Sequence, residues 1–167
     1  MQIRAETGAD YAAVQDILES AFEDDGESRL VSRLRANAKP LISLVAEQDG
    51  QILGHILFSP VTLDSEPSLA LMGLAPMAVR PGHQRQGIGT ALIEAGLDRC
   101  RETRVGAVVV LGHPDYYPRF GFLKSSGFDI KSEYDVPAEA FMVVELQAGY
   151  LDDHSGTVQY HDEFRKL

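Results

Sequence analysis

The stretch AVRPGHQRQGIGTALIEAGLDRC, Ala78 to Cys100, decides the fold. It runs from a strand-like end, through a glycine-rich turn that carries Gln84, Arg85 and Gln86, into a helical pattern. There Ile88, Leu92 and Ala95 recur as an apolar stripe, while Thr90, Glu94, Asp98 and Arg101 mark a polar one. A helix of this kind covers one face of a sheet. Its glycine-rich entry leaves unpaired backbone N–H groups at the positive end of the helix dipole, which suits a phosphate. Gly87 and Gly89 let the backbone come close to such a group, and Gln84 and Arg85 add hydrogen bonds and charge toward a pyrophosphate. GxG pairs also occur in ordinary turns, so a loop that starts a helix and holds no ligand is the other reading of these residues.

Upstream, IRAET reads as a short strand, and Thr7 with Asp10 has the pattern of a capping box. Tyr11, Val14, Leu18, Ala21 and Phe22 then recur at the spacing of one helix face. After the acidic turn EDDGE, Leu30, Val31 and Leu34 lie opposite Arg29 and Arg33, which predicts a second helix ending before Pro40. LISLVAEQDGQILGHILFSPVTL holds two β-rich runs around Asp49-Gly50, a hairpin dipeptide, and the second run continues past Pro60.

SLALMGLAPMAV is the next strand. Gly73 and Pro76 interrupt it, and Pro76 has no N–H for a ladder, which predicts a bulge or splay with an unpaired edge facing a ligand. GAVVVLG, Gly106 to Gly112, has the continuous apolar character of a strand buried on both faces, as does FMVVEL, Phe141 to Leu146. The sum is a mixed α/β sheet flanked by helices. FMVVEL, if left at an edge, would offer a pairing surface to a second copy, and both monomer and homodimer stay open.

The 167 residues fit one domain, expected to span 1–167 with 148–167 as a C-terminal tail packed on it. Fifteen Lys and Arg against twenty-five Asp and Glu give a formal charge of −10, which argues against nucleic acid as a partner. No window reaches the roughly 18 consecutive apolar residues of a membrane span, and the start lacks the order of a secretion signal. A cytoplasmic protein with no membrane partner is expected. Cys100, the single cysteine, sits inside the helical pattern and reads as a buried apolar residue rather than a nucleophile. His55, His83, His154 and His161 show no metal-ligand spacing, so no metal is expected.

Two nucleotide motifs fail on the central loop. Gly82 to Gly87 has the first half of GxxxxGK[ST], but Ile88 and Gly89 replace the lysine and hydroxyl that an NTP site needs. In the dinucleotide fingerprint the third glycine would fall at Leu92, and no acidic residue stands about 20 positions beyond the loop.

QRQGIG, Gln84 to Gly89, instead resembles the [QR]-x-x-G-x-[GA] acetyl-CoA motif of the GNAT N-acetyltransferases. It follows a MAVRP strand end and precedes a long helix, an apolar strand and HPDYYPRFGF, similar to the family's Y-x-x-x-G-F element. The opening IRAETGADYAAVQDIL is also typical of the family, and LGHPDYYPRFGF with the late SGTVQYHDEF looks like the predicted acetyltransferases of the YhbS-like branch. The resemblance implies the GNAT fold, with a splayed strand before the pyrophosphate loop. It implies that Met77, Ala78 and Val79 pair with the pantetheine amides, Val79 most closely. Gln84, Arg85, Gln86, Gly87, Ile88, Gly89 and Thr90 would wrap the pyrophosphate, and Pro114, Tyr117 and Phe120 would stand beside the thiol end. Tyr117 lies four residues before Gly121, as the family's tyrosine does before its glycine.

The expected reaction is direct transfer of the acetyl group of acetyl-CoA to a primary amine, on a small molecule, peptide or protein. Tyr117 is the expected catalytic acid, because coenzyme A leaves as a thiolate of reference pKa near 8.5. Adjacent Tyr116 competes for the same register. The family's glutamate on the strand before the motif has no counterpart in GLAPMAV. His113, Asp115 and the turn of Glu23, Asp24, Asp25 and Glu27 are the candidates left for the base. An acyl-CoA-binding sensor or interaction domain without turnover is the alternative reading.

Overall fold

The Asp49–Gly50 turn joins the two strands around which the sheet grows, β2 (Ile42–Gln48) and β3 (Gln51–Leu63). This is a computed structural model, and it describes residues 1–167. On the outer side of β2 lies β1 (Gln2–Ala5). On the other side of β3 lies β4 (Leu71–Val79). β5 (Ala107–Leu111) runs parallel to β4, and β8 (Phe141–Glu145) and the short β6 (Leu123–Lys124) complete the order β1-β2-β3-β4-β5-β8-β6. β9 (Gly156–Gln159) pairs with the far end of β3 and with β7 (Ile130–Ser132). FMVVEL is therefore an interior strand between β5 and β6, and the edge it would have offered to a second copy is paired at Met142 and Val143.

Period-2 alternation sends neighbouring side chains to opposite faces. Leu44 and Ala46 of β2, with Ile56 and Phe58 of β3, pack under α3 (Ile88–Glu102), where Leu92, Ile93 and Cys100 have no exposure. Val45 and Leu57 face the other way, toward α1 (Tyr11–Phe22) and α2 (Gly26–Asn37), meeting Val14, Ile17, Leu18, Val31 and Leu34. β5 divides likewise: Val108 and Val110 join the α3 side, and Ala107 and Val109 join Leu63, Phe141 and Tyr160. Both faces are buried, as its unbroken apolar run predicts. Tyr11 lies off the buried stripe of α1, 46% exposed, with the Arg35 guanidinium 3.9 Å above its ring.

Asp10 accepts the Thr7 N–H at 2.8 Å, completing the capping box, and also takes Arg4 Nη1 at 2.7 Å. The Arg4 contact leads in holding the Asp10 carboxyl well below the usual carboxylate range. A buried polar knot ties α2 to the sheet. Arg35 Nη2 lies 2.5 Å from Glu6 Oε1, while Glu6 also accepts from Ser43, and His55 Nε2 stands 2.8 Å from Ser43 Oγ. Burial pushes the Glu6 carboxyl up, but hydrogen bonds from His55 and Ser43 and the Arg35 charge outweigh it and leave it low.

The segment 148–167 crosses back over the sheet through β9. It docks on α2, where Asn37 Nδ2 donates to Glu163 Oε2 at 2.6 Å and Arg33 lies 3.4 Å from Glu163 Oε1.

Candidate active site

β4 and β5 pair only from Leu71–Ala107 to Gly73–Val109, and beyond that β4 stays with β3 and leaves β5. The register of β4 on β3 slips between Ile56 and Phe58, opposite Ala75 and Pro76. The interruption read at Pro76 is thus a bulge on one side and a splay on the other, whereas Gly73 stays paired with Ser59 of β3 and Val109 of β5. Arg80 donates its N–H to Leu53 of β3, so by the alternation of an antiparallel ladder Val79 and Met77 turn their backbone groups to the open side. The Val79 carbonyl accepts Gln84 Nε2 there at 3.3 Å, tying the loop to the strand.

A cleft of about 810 Å³ opens beside that edge. Met77, Ala78 and Val79 form one wall, and Gln84, Arg85 and Gly87 to Thr90 close one end. The backbone N–H groups from Gln84 through Thr90 donate to nothing within the chain. Gly87 starts α3 at φ +84°, and a Cβ built on it meets no atom within 4 Å, so its open side is free for a ligand. Arg85 and Arg119 border the same cleft, and neither has a carboxylate partner, although the molecule carries a net charge of −10. The loop thus offers a run of donors, a dipole end and the Arg85 charge, the set a diphosphate requires, while Arg119 lies outside the loop, 5.4 Å from the Tyr116 ring centroid.

His113 and Tyr117 stand at the other end, and Tyr116 reaches from beside them to the loop end. The two tyrosines make different contacts: Tyr116 Oη lies 3.2 Å from Thr90 Oγ1, whereas Tyr117 Oη makes no hydrogen bond within the chain. Burial, with Tyr116 beside it, pushes the Tyr117 phenol up to about 12, so it keeps its proton through the neutral range. Gly112 makes room for the ring: a Cβ there would lie 2.3 Å from Tyr117 Cε2.

A second cavity of about 420 Å³ adjoins the first, and Phe22, Met77, His113 and Tyr117 border both. No group of three or more His, Cys, Asp or Glu side chains is arranged to hold a metal. No helix is long and apolar enough to cross a membrane.

A family model described as the acetyltransferase (GNAT) family matches residues 11–128. The chain belongs to that family. It is similar to the N-acetyltransferase YhbS of Escherichia coli strain K12, with 36% identity over 168 residues and 100% of both chains covered. The crystal structure of E. coli YhbS in complex with CoA superposes with a TM-score of 0.92, at 36% identity, over 98% of this chain and 91% of that one. A GNAT acetyltransferase of Brucella melitensis in complex with acetyl-CoA gives 0.81, also at 36% identity, over 98% and 97%. By family the chain is an acetyltransferase, and the expected mixed α/β fold with its splayed strand is the GNAT fold.

The cleft gathers most of the residues that the GNAT resemblance singles out. Gln86 contributes its free N–H but keeps its side chain exposed, off the wall. Pro114 is exposed and borders neither cavity, and Phe120 backs Tyr116 edge-on at 5.3 Å instead of reaching the cleft. Among the candidate bases, His113 borders both cavities and Glu27 the second, while Asp115 borders neither. Asp24 accepts the Gly26 N–H and Asp25 pairs with Arg29, so both serve the start of α2. Sequence reasoning missed His83 and Arg119 on the wall, and it placed Ala21 and Phe22 only on a core-facing stripe. The end of α1 overhangs the cleft, so the last turn of that stripe meets the ligand space instead of the sheet.

Proposed function

We propose that the chain acts as one N-acetyltransferase domain, binding acetyl-CoA in the larger cleft and passing its acetyl group directly to a primary amine. The observation that carries this reading is the run of unspent N–H groups from Gln84 to Thr90, at one end of a cleft whose other end holds the free Tyr117 hydroxyl. The diphosphate sits on that run, flanked by Arg85. The pantetheine follows the open edge of Met77 to Val79, which puts the thioester beside Tyr117. CoA or acetyl-CoA bound to relatives that cover 98% of this chain supports the placement.

In the reaction the amine nitrogen bonds to the acetyl carbon and the carbon–sulfur bond breaks. The nitrogen gives up its surplus proton to His113, which borders both cavities, and sulfur leaves as a thiolate. A phenol near 12 does not transfer its proton downhill to a thiolate of reference pKa near 8.5. Tyr117 therefore acts as a fixed hydrogen-bond donor to the charge growing on sulfur, and solvent completes the thiol. A donor aimed at developing charge in a shielded site is worth about 10² to 10³ in rate.

The testing experiment pairs a calorimetric titration of CoA with a thiol-release assay over pooled amines. Binding with amine-dependent thiol release supports the reading. Binding with no release for any amine favours an acyl-CoA sensor.

A further inference from the structure

Arg119 is a cation on the cleft wall with no acid to neutralise it. A 3-10 helix stacks residues three apart. In the turn Tyr117–Phe120 the Arg119 N–H therefore donates to the Tyr116 carbonyl at 3.3 Å, and the Arg119 guanidinium lies 5.4 Å from the centroid of the Tyr116 ring. Tyr116 in turn reaches Thr90 in the first turn of α3, so Arg119 stands on the β5 side of the loop, whereas Arg85 stands within it. Arg80, at the start of the loop, is held by Asp16 at 3.3 Å and by the Ile52 carbonyl. Asp115, the acid nearest to Arg119 in sequence, stays off the cleft wall.

We propose, on the reading that the larger cleft holds acetyl-CoA, that Arg119 binds the 3′-phosphate of the cofactor's ribose and selects CoA thioesters over those that lack this group. Charge gives the first reason. The 3′-phosphate is a monoester, with roughly −1.5 to −2 of charge near neutral pH and three strong acceptor oxygens. The N–H groups from Gln84 through Thr90, with Arg85, serve the diphosphate, and on a chain of net charge −10 the monoester needs a cation of its own. A guanidinium fork matches two phosphate oxygens at once.

Direction gives the second. The pantetheine leaves the diphosphate along Met77 to Val79, so the adenosine leaves it outward, past the start of α3. The β5 side of that exit is built by Tyr116 and Arg119. Arg119 is exposed, and its side chain is free to swing over the exit. Its contact with the Tyr116 ring is weaker than a two-pronged pair with a phosphate, so the guanidinium leaves the ring when the phosphate arrives.

The test is calorimetric titration of the full chain with CoA and with 3′-dephospho-CoA, which lacks the 3′-phosphate and nothing else. At an ionic strength of about 0.1 M, wild type should bind CoA about tenfold more tightly than 3′-dephospho-CoA. Arg119→Gln should cut that ratio to about twofold or less, with the loss falling on CoA. Arg119→Lys, which keeps the charge without the fork, should fall between the two. Arg85→Ala should weaken both ligands alike, because both carry the diphosphate. Equal affinities in wild type would overturn the inference. So would an Arg119→Gln protein that keeps the wild-type ratio, even with both ligands weakened, since Arg119 would then only support the Tyr116 ring. Collapse of the ratio in Arg85→Ala, with Arg119→Gln unchanged, would assign the 3′-phosphate to Arg85 instead. Failure of the underlying reading looks different: neither ligand binds, or both bind no better than pantetheine.

Discussion

Tyr116 Oη lies 3.2 Å from Thr90 Oγ1, in the first turn of α3, and this contact separates two adjacent tyrosines that spacing alone leaves in competition. Tyr116 is committed to the loop end of the cleft, and Tyr117 has a free hydroxyl where the two cavities meet. Tyr117→Phe should lower kcat by about 10² to 10³ with little change in the KM for acetyl-CoA. The loss should shrink for thioesters of more acidic thiols, because less charge on sulfur then needs a donor. Tyr116→Phe should act on acetyl-CoA affinity and leave kcat near wild type. Steady-state kinetics of both variants check the assignment, and the reverse pattern would exchange the two roles.

Gly112 offers a test that leaves Tyr117 chemically intact. A methyl group there would lie 2.3 Å from one ring atom and 2.9 Å from the next, and the rigid ring has to move. Gly112→Ala should reduce kcat toward the Tyr117→Phe level while CoA affinity, measured by calorimetry, stays within about threefold, since a misplacement of about 1 Å costs on the order of 10² in rate. Full activity in Gly112→Ala would mean that the position of the ring is not critical.

Burial sets a signature at alkaline pH. The Tyr117 phenol rises from 10.0 and the Cys100 thiol from 9.0, each to about 12. The folded protein holds both protons to about that pH, whereas the unfolded chain begins to release them near its ordinary values. Stability is therefore full below about pH 9 and falls as pH rises toward 12, by up to about 1.4 kcal/mol per pH unit for each group. Denaturant melts across this window should show the slope. Cys100→Ala should remove the slope between about pH 9 and 10 and lessen it above, and Tyr117→Phe should lessen it only above about pH 10, where Tyr160, whose phenol burial also pushes up, contributes as well.

Much of the fold is legible in the sequence because local rules carry it. Capping at Thr7 and Asp10, the turn at Asp49–Gly50, the break at Pro76 and the two-faced burial of β5 each follow from a few neighbouring residues. What escapes the sequence is set by contacts across long separations. The knot of Glu6, Arg35, Ser43 and His55 draws on three elements and the turn after β1, and no single window shows that those side chains meet. The interior place of β8 depends on the late pairing of the two-residue β6. Pro114 and Phe120 miss the wall for a local reason. The turn after His113 winds into a short 3-10 helix, which points Tyr117 inward and stacks Phe120 behind Tyr116. The second cavity needs α2, the splay of β4 and the segment around Phe164 together, so its apolar character becomes visible only in three dimensions.

Arg85 supplies a screened contribution that salt can isolate. It is exposed at the mouth of the cleft and has no carboxylate partner. Arg85→Ala should weaken CoA binding about threefold to tenfold at low ionic strength, and the difference from wild type should narrow as salt shortens the Debye length from about 10 Å at 0.1 M to about 3 Å at 1 M. A difference that is constant across salt would place the Arg85 charge away from the phosphates.

The central claim is that the amides of Gln84 to Thr90 hold the diphosphate of CoA, and calorimetric titration of Gly87→Val with CoA and with pantetheine tests it most directly. Wild type should bind CoA at least tenfold more tightly than pantetheine, which lacks the diphosphate. Valine at φ +84° costs about 1–2 kcal/mol of stability, which a folded variant survives, and its side chain fills the open space in front of the free N–H groups. Gly87→Val should therefore bind CoA no better than pantetheine while pantetheine binding is retained. A folded Gly87→Val protein with wild-type affinity for CoA would contradict the account.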